Sequence, residues 1–407
     1  MFIRFFKYVY KYFKLKQISQ SMSDGRKNPL ISASAIFWFI FFVFMSQLGS
    51  FNRMDELRKN KIQKRRLEAL IGGLFPSSDT VAYSLNTFCN LKLRDALHLI
   101  YTLLQRRHII ERLRVGGYLI LSLDGHELFC SRNIHCPLCL QRTIHTKNGD
   151  VTEYYHRIVV AQIVGGFICI PLDLEPILPC EDEVQAASRL IERIIKKYPK
   201  GFDVVTVDSL YLRASFVKLI KSHGEKIVCV IKDERRELIV DAREIFNTQQ
   251  PYVTADSKKR YEHWDEEDFT SWTQLGFPIR VVRSKEIKFK GRQQTTSDWL
   301  WATTLSKNDA NTDTVCQIAH SRWDIENQGF NEAVTFYNID HCFKHHPNAI
   351  EAIILIYFIV YILHKAFLFL NLKPAFRNSH CLYYFVLLIM CSFLGLIYLI
   401  PLKILRL

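Results

Sequence analysis

Residues 118–125, YLILSLDG, and residues 202–209, FDVVTVDS, share one pattern: a short apolar run, rich in branched side chains, leads into an aspartate followed by a small residue. Runs of this length bounded by glycine or serine predict buried strands. Between them, HRIVVAQIVGGFICIPLDLEP (156–176) predicts two further strands meeting near Gly165 and Gly166, and EDEVQAASRLIERIIKKYP (181–199) predicts a charged amphipathic helix. After the second aspartate, RASFVKLIKSHG (213–224) predicts a helix and KIVCVIKD (226–233) another strand. Strand, hairpin, then alternating helix and strand specify a mixed α/β sheet.

Three antiparallel strands followed by helix-connected strands is the order of a ribonuclease H-like domain. Working outward, residues 234–307 break the rhythm with polar, aromatic and β-prone segments such as YEHWDEEDFTSW (261–272) and SDWLWATTL (297–305), which predict a β-rich insertion. The pattern resumes in DTVCQIAHSRWDIENQGFNEAVTFYN (313–338), a predicted helix. The expected organisation is a helical N-terminal DNA-binding region (1–115), a ribonuclease H-like core (116–233), the insertion (234–307), completion of the core (308–350) and an apolar helical C-terminal region (351–407).

The 407 residues exceed one compact core. A net charge of +14 favours a polyanionic partner, nucleic acid or an anionic membrane, since each cation placed on a phosphate releases a counterion. The basic residues gather at 59–66, 194–200 and 285–292, interleaved with apolar positions as on a folded surface. Eleven cysteines, an odd number scattered through a long chain without a cleavable signal pattern, argue against a disulfide framework.

Membrane contact is a competing expectation. The apolar runs 352–370 and 381–402 approach or reach bilayer-spanning length, although His364 and Lys365 interrupt the first. The opening MFIRFFKYVYKYFKLK (1–16) alternates aromatic and basic residues, as a surface-active helix does. Against insertion, SAIFWFIFFVFMSQ (34–47) shows that buried-helix composition recurs in this chain.

Asp124 and Asp208 should emerge where strands end, the place where ligands collect in open α/β sheets. Capping of the next turn is the structural alternative for each. Asp203 is offset by five from Asp208 and should face the other way. Arg322 and Glu326 stand four apart on one helix face, and Asn327 and Asn331 follow on an adjoining stripe where they could meet DNA. Asp124, Asp208 and Glu326 together would make an oxygen-only cage for two Mg²⁺ ions, with Mn²⁺ as a substitute.

Cys130, Cys136, Cys139 and His145 in FCSRNIHCPLCLQRTIH (129–145) suggest a second, structural Zn²⁺ site beside the alternative of free thiols. Tyr154, Tyr155 and His156 open the following strand and carry no assigned role. Trp264 and Trp272 could stack on an extruded DNA base or pack within the insertion, and Lys285 and Lys288 could hold phosphates.

The segments SLDGHELFCS (122–131), VDSLY (207–211) and SRWDIENQGFNE (321–332) resemble the DDE transposases of bacterial insertion sequences, in particular the IS4-like group. The resemblance implies a catalytic triad of Asp124, Asp208 and Glu326, with Arg322 as the arginine of a Y-R-E-K signature. It also implies Mg²⁺-dependent cleavage at terminal inverted repeats, strand transfer into target DNA, a DNA-bound homodimer and a bacterial cytoplasmic, nucleoid-associated location. The sequence departs from the signature at Ala319, where tyrosine is usual, and at Ala333 and Val334, where no lysine stands. Those departures keep open a relative that binds or nicks DNA without transposing, and the C-terminal apolar runs keep open a membrane-anchored binding protein.

Overall fold

The computed structural model describes residues 1–232, 237–255, 259–290 and 293–393. The end of the basic run 285–292 and the part of the apolar run 381–402 beyond residue 393 lie outside them. Seven helices come first: α1 (Phe2–Phe13), α2 (Leu15–Gln20), α3 (Ala33–Met45), α4 (Phe51–Lys59), α5 (Lys61–Ile71), α6 (Ser78–Leu85) and α7 (Asn90–Gln105). Serine side chains cap three of them, Ser32 on α3, Ser50 on α4 and Ser77 on α6, each accepting a backbone amide of the first turn.

A hairpin-rich segment follows, with β1 (Ile120–Ser131), β2 (Leu140–Thr146), β3 (Gly149–Val164) and β4 (Ile170–Pro176). The alternating part comprises α8 (Glu183–Lys197), β5 (Val204–Val207), α9 (Ala214–Ser222) and β6 (Lys226–Ile231). Then come α10 (Glu237–Thr248), β7 (Tyr252–Ala255), β8 (Lys259–Phe269), β9 (Ile279–Lys290) and β10 (Gln293–Thr303). The chain closes with α11 (Thr312–Ser321), a π-helical segment (Ile325–Phe330), α12 (Asn331–Tyr337), α13 (Pro347–Asn371), α14 (Pro374–Ser379) and α15 (Leu382–Phe393).

All ten strands form one mixed sheet in the order β2-β3-β1-β5-β6-β10-β9-β8-β7, with β4 on the free side of the inner half of β3. β1, β3 and β4 are antiparallel neighbours, and β5 and β6 run parallel to β1, which is the ribonuclease H-like arrangement. The β-rich insertion prolongs that same sheet, because β10 pairs antiparallel with β6 through Leu300↔Ile231 to Thr303↔Val228. β3 is long enough to serve twice: its first half pairs with β2 and its second with β1 and β4.

Side chains alternate across the sheet, so its two faces build two cores. Leu121, Leu123, Val205 and Val207 join the larger one, shared with α8, α9 and the helical region. Ile120, Val204, Val228, Val282 and Trp301 join a smaller one capped by Val315, Ile318 and Ala319 of α11. Gly165, in the β3–β4 turn with φ +86°, lets α11 dock on this second face. A Cβ there would sit 2.7 Å from Val115 Cγ2 and 2.8 Å from Ser321 Oγ.

The long apolar helix α13 is a core helix of the fold. Of its most apolar stretch 89% is buried, against α3, α7, β4 and α1. The two polar residues that interrupt its sequence are buried with partners: Lys365 Nζ lies 2.7 Å from the Glu332 carboxylate of α12, and the Tyr337 hydroxyl lies 2.9 Å from His364 Nδ1. α1 likewise turns Phe5, Val9 and Phe13 inward and leaves Arg4, Lys7 and Lys11 exposed. The apolar faces of α13 and α1 are therefore covered by protein.

The Lys365–Glu332 pair gives a direct test of how α12 is held. Lys365→Met leaves a carboxylate stranded against an apolar helix and should destabilise the protein by about 3–5 kcal/mol in urea denaturation. Adding Glu332→Leu should recover most of that loss, since removing both charges removes the desolvation penalty. Equal stability of the single variant and the parent would show that the pair is solvated.

Candidate active site

β1 and β5 pair through Ile120↔Val204, Leu121↔Val205 and Ser122↔Thr206. Asp124 and Asp208 each follow the last of these pairs by two residues. A strand repeats its side-chain direction every second residue, so both carboxylates leave the sheet side by side on the face that α11 covers. Asp208 follows the end of β5, as the sequence predicts, and its Oδ1 accepts the Ser209 amide at 2.7 Å to start a short 3₁₀ turn. Asp124 differs from expectation. β1 continues past it to Ser131, paired with β3 through Asp124↔Val160, and only its partnership with β5 ends nearby. Asp203 lies at the opposite end of β5, bonded to Arg114 and to the Leu119 amide at 2.7 Å.

The third acid arrives on a π-helical turn instead of the regular helix the spacing predicts. Glu326 lies in the segment Ile325–Phe330, whose widened turn is tied down from two sides. The Tyr361 hydroxyl of α13 donates to the Gln328 carbonyl at 2.7 Å, and Asp324 accepts the Gly165 amide at 3.0 Å. Arg322 is buried, and its Nη1 lies 2.8 Å from Glu326 Oε1 and 3.5 Å from Asp124 Oδ2. Its charge also acts on Asp208. One guanidinium thus links Glu326 to Asp124 and adds positive charge near Asp208.

Electrostatics separates the two aspartates. Burial pushes the Asp124 carboxyl up to about 7; Arg322 and the Gly125 amide oppose the shift, and the charges of Glu183 and Glu326 reinforce it. At Asp208 burial acts in the same sense, but the Ser209 amide and Lys232, 3.0 Å away, outweigh it and hold the carboxyl below its ordinary value. An oxygen donor whose proton affinity is raised by the negative charges of its neighbours, as Asp124 is, suits a hard divalent cation, which would relieve that repulsion.

Two of these groups escape a reading of the sequence. Glu183 is buried in the first turn of α8, on the far face of the sheet, where Tyr211 donates to it at 2.8 Å and Arg157 pairs with it at 2.9 Å. It reaches toward Asp124 across Gly125, at which a Cβ would come within 2.1 Å of Glu183 Oε2. In sequence it is one acid of three in EDE (181–183), and nothing local marks it. Lys232 stands one residue past β6, the position that a strand-end rule would single out had it been applied to cations.

Asn327 and Asn331 are exposed beside Glu326. Of the positions departing from the signature, Ala319 and Ala333 are buried and Val334 is half-buried. Trp264 and Trp272 pack against the large core from partial exposure, and Trp264 carries Arg283 over its ring at 4.7 Å. Lys285 and Lys288 lie on β9, with Glu262 and Glu286 within 3.7 and 3.9 Å respectively. β9 is three strand spacings from β5, about 14 Å.

The expected zinc set is corrected. Cys136 and Cys139 are together, but their neighbours are His156 and His345. His145 is exposed on β2 and bonded to Asp150 at 2.6 Å, and Cys130 is an exposed residue of β1. Sequence proximity suggested the wrong partners because the strand pairing carries β2 away from the loop that holds the cysteines.

A ribonuclease H-like sheet with acids side by side on two neighbouring strands and a third on a following helical turn offers an oxygen-rich setting in which divalent metal ions could be held. Residues 180–363 match the family model of the transposase DDE domain. The match covers somewhat under half of the chain, takes in Asp208, Arg322 and Glu326, and leaves Asp124 before its start. It supports a DDE transposase in general terms, with DNA as substrate and divalent metal ions at work. No curated protein matches the chain.

The raised Asp124 carboxyl has a consequence for stability. Its folded pKa of about 7 exceeds the roughly 3.9 of an unfolded aspartate, so the proton stabilises the fold at low pH and this contribution is lost as pH rises toward 7. In Mg²⁺-free buffer Asp124→Asn should therefore be more stable than the parent at pH 8, by about 1–3 kcal/mol. The difference should widen from pH 4 to 7 and then level off in thermal melts. A difference independent of pH would sink the assignment.

Proposed function

We propose that this protein is an IS4-like transposase in which Asp124, Asp208 and Glu326 hold two Mg²⁺ ions. The observation that carries this reading is the register of β1 and β5, which sets two acids side by side, with Arg322 drawing in the third. The metals would supply an activated attacking oxygen and stabilise the leaving one, so cleavage and joining need no covalent enzyme intermediate. Arg322, already engaged by two carboxylates, orients Glu326 and Asp124. Asn327 and Asn331 meet the DNA next to the site, and Lys285 and Lys288 hold phosphates farther along it. Arg65 and Arg66, exposed on α5, extend the basic surface toward terminal inverted repeats. Two copies bound to two ends would act together on the nucleoid of a bacterial cell.

A second reading has a specific basis: the signature tyrosine is replaced by buried Ala319 and no lysine stands at Ala333 or Val334, and the chain would then nick DNA without completing strand transfer. One assay separates the two. Purified protein is incubated with Mg²⁺, DNA carrying the ends of its element and a target plasmid, and nicked and joined products are resolved. Joined products support transposition; nicks alone favour the second reading. Asp124→Ala, Asp208→Ala and Glu326→Ala should each reduce cleavage by at least about 100-fold, while Asp203→Asn at the other end of β5 should cut like the parent. Ordinary turnover by Asp124→Ala would overturn the metal assignment.

A further inference from the structure

We infer that Cys136, Cys139, His156 and His345 form a tetrahedral Zn²⁺ site that pins β3, the partner of the Asp124-bearing strand, and the β1–β2 loop to the segment that follows Glu326. The four ligand atoms lie within 4.8 Å of one another. The two sulfurs are 3.7 Å apart, far beyond a disulfide bond of about 2.05 Å. His156 Nε2 lies 3.4 Å from Cys136 Sγ and 3.3 Å from Cys139 Sγ, while His345 Nε2 lies 3.2 Å from both Cys139 Sγ and His156 Nε2. With Zn–S near 2.3 Å and Zn–N near 2.05 Å, a regular tetrahedron has edges of about 3.8 Å (S–S), 3.6 Å (S–N) and 3.3 Å (N–N). Each of the five distances falls within roughly 0.4 Å of its ideal edge.

Hydrogen bonding alone accounts poorly for this arrangement. The two Nε2 atoms face each other, and at most one of them can carry a proton in a useful direction. The rest of the surroundings is that of a metal knuckle. The Pro137–Leu138 turn closes with the Cys139 amide on the Cys136 carbonyl at 3.1 Å, and the Cys136 amide points at Cys139 Sγ at 3.2 Å. β1 bulges at this point, so that Leu128 and Phe129 together face His156, and the Phe129 ring packs on both imidazoles at 5.6 and 5.4 Å. Two thiolates and two imidazoles are a tetrahedral Zn²⁺ set, and a saturated one, which leaves no position for catalysis.

The ligands come from three places: the β1–β2 loop, β3, and the residues just before α13. His156 lies four residues along β3 from Val160, the residue opposite Asp124, or about 13 Å. The chain from Glu326 runs through α12 to His345 before entering α13. An ion here would therefore fix both ends of the Glu326-bearing segment, one through Arg322 at the acids and the other at the zinc.

The test uses tag-free full-length protein purified without chelator. Elemental analysis should find about one zinc per chain. Replacement by Co²⁺ should give the visible bands of a tetrahedral ion together with thiolate charge transfer. Cys139→Ser and His345→Ala should lose the metal, whereas Cys130→Ser and His145→Ala should keep it. His345→Cys should also keep it and strengthen the charge-transfer band, which guards against reading misfolding as ligand loss. Parent protein that contains no zinc and takes up no Co²⁺ would overturn the site, as would iron–sulfur absorbance or loss of metal in Cys130→Ser. None of these readouts depends on whether the protein cuts DNA.

Discussion

The parallel pairing of β1 with β5 is the constraint on which the rest depends. Three residue pairs ending at Ser122↔Thr206 fix which way every neighbouring side chain points. A slip of one residue would turn Asp124 or Asp208 into the large core and expose a leucine or valine in its place, so the apolar pattern that stabilises the sheet also enforces the register of the acids. The same alternation explains Glu183. Gly125 faces the opposite side from Asp124, and because it carries no side chain a buried acid can approach from beneath the sheet without entering the site itself. Negative charge is thus concentrated at one point of the sheet from both faces, with Arg322 on one side and Arg157 on the other as counterweights.

The apolar C-terminal region is built to serve this arrangement. α13 contributes the Tyr361 hydroxyl that holds open the π-helical turn around Glu326, and Lys365, which anchors the next helix through Glu332. Its composition resembles a membrane span because a helix covered on every side by protein has the same need for uninterrupted apolar surface. Composition alone cannot distinguish lipid from protein as the covering; α3, α7 and β4 supply the answer for α13.

What could be read from the sequence follows from how local each signal is. Asp124, Asp208 and the Arg322–Glu326 pair rest on patterns within eight residues, and the structure gathers them. Glu183 is indistinguishable from Glu181 and Asp182 until α8 is docked on the sheet. His345 stands 189 residues beyond His156, so no spacing rule links them. The cysteine pair was legible as a turn, but its partners were not, because strand pairing rather than sequence proximity chooses them. The insertion reads as separate in composition, yet β10 joins it to β6 by hydrogen bonds between backbones, which no side-chain pattern records.

The late position of α13 bears on how the protein is made. α3 and α7 both present faces that pack against a helix beginning about 240 residues after α7 ends. At synthesis rates of roughly 5–20 residues per second, those faces wait some 10–50 s for their partner. For most of that interval the nascent chain also lacks Glu326, which precedes α13 in the chain. The chain thus supplies the covering helix for α3 and α7 only late in synthesis, and an unfinished chain leaves an exposed apolar surface that chaperones can recognise.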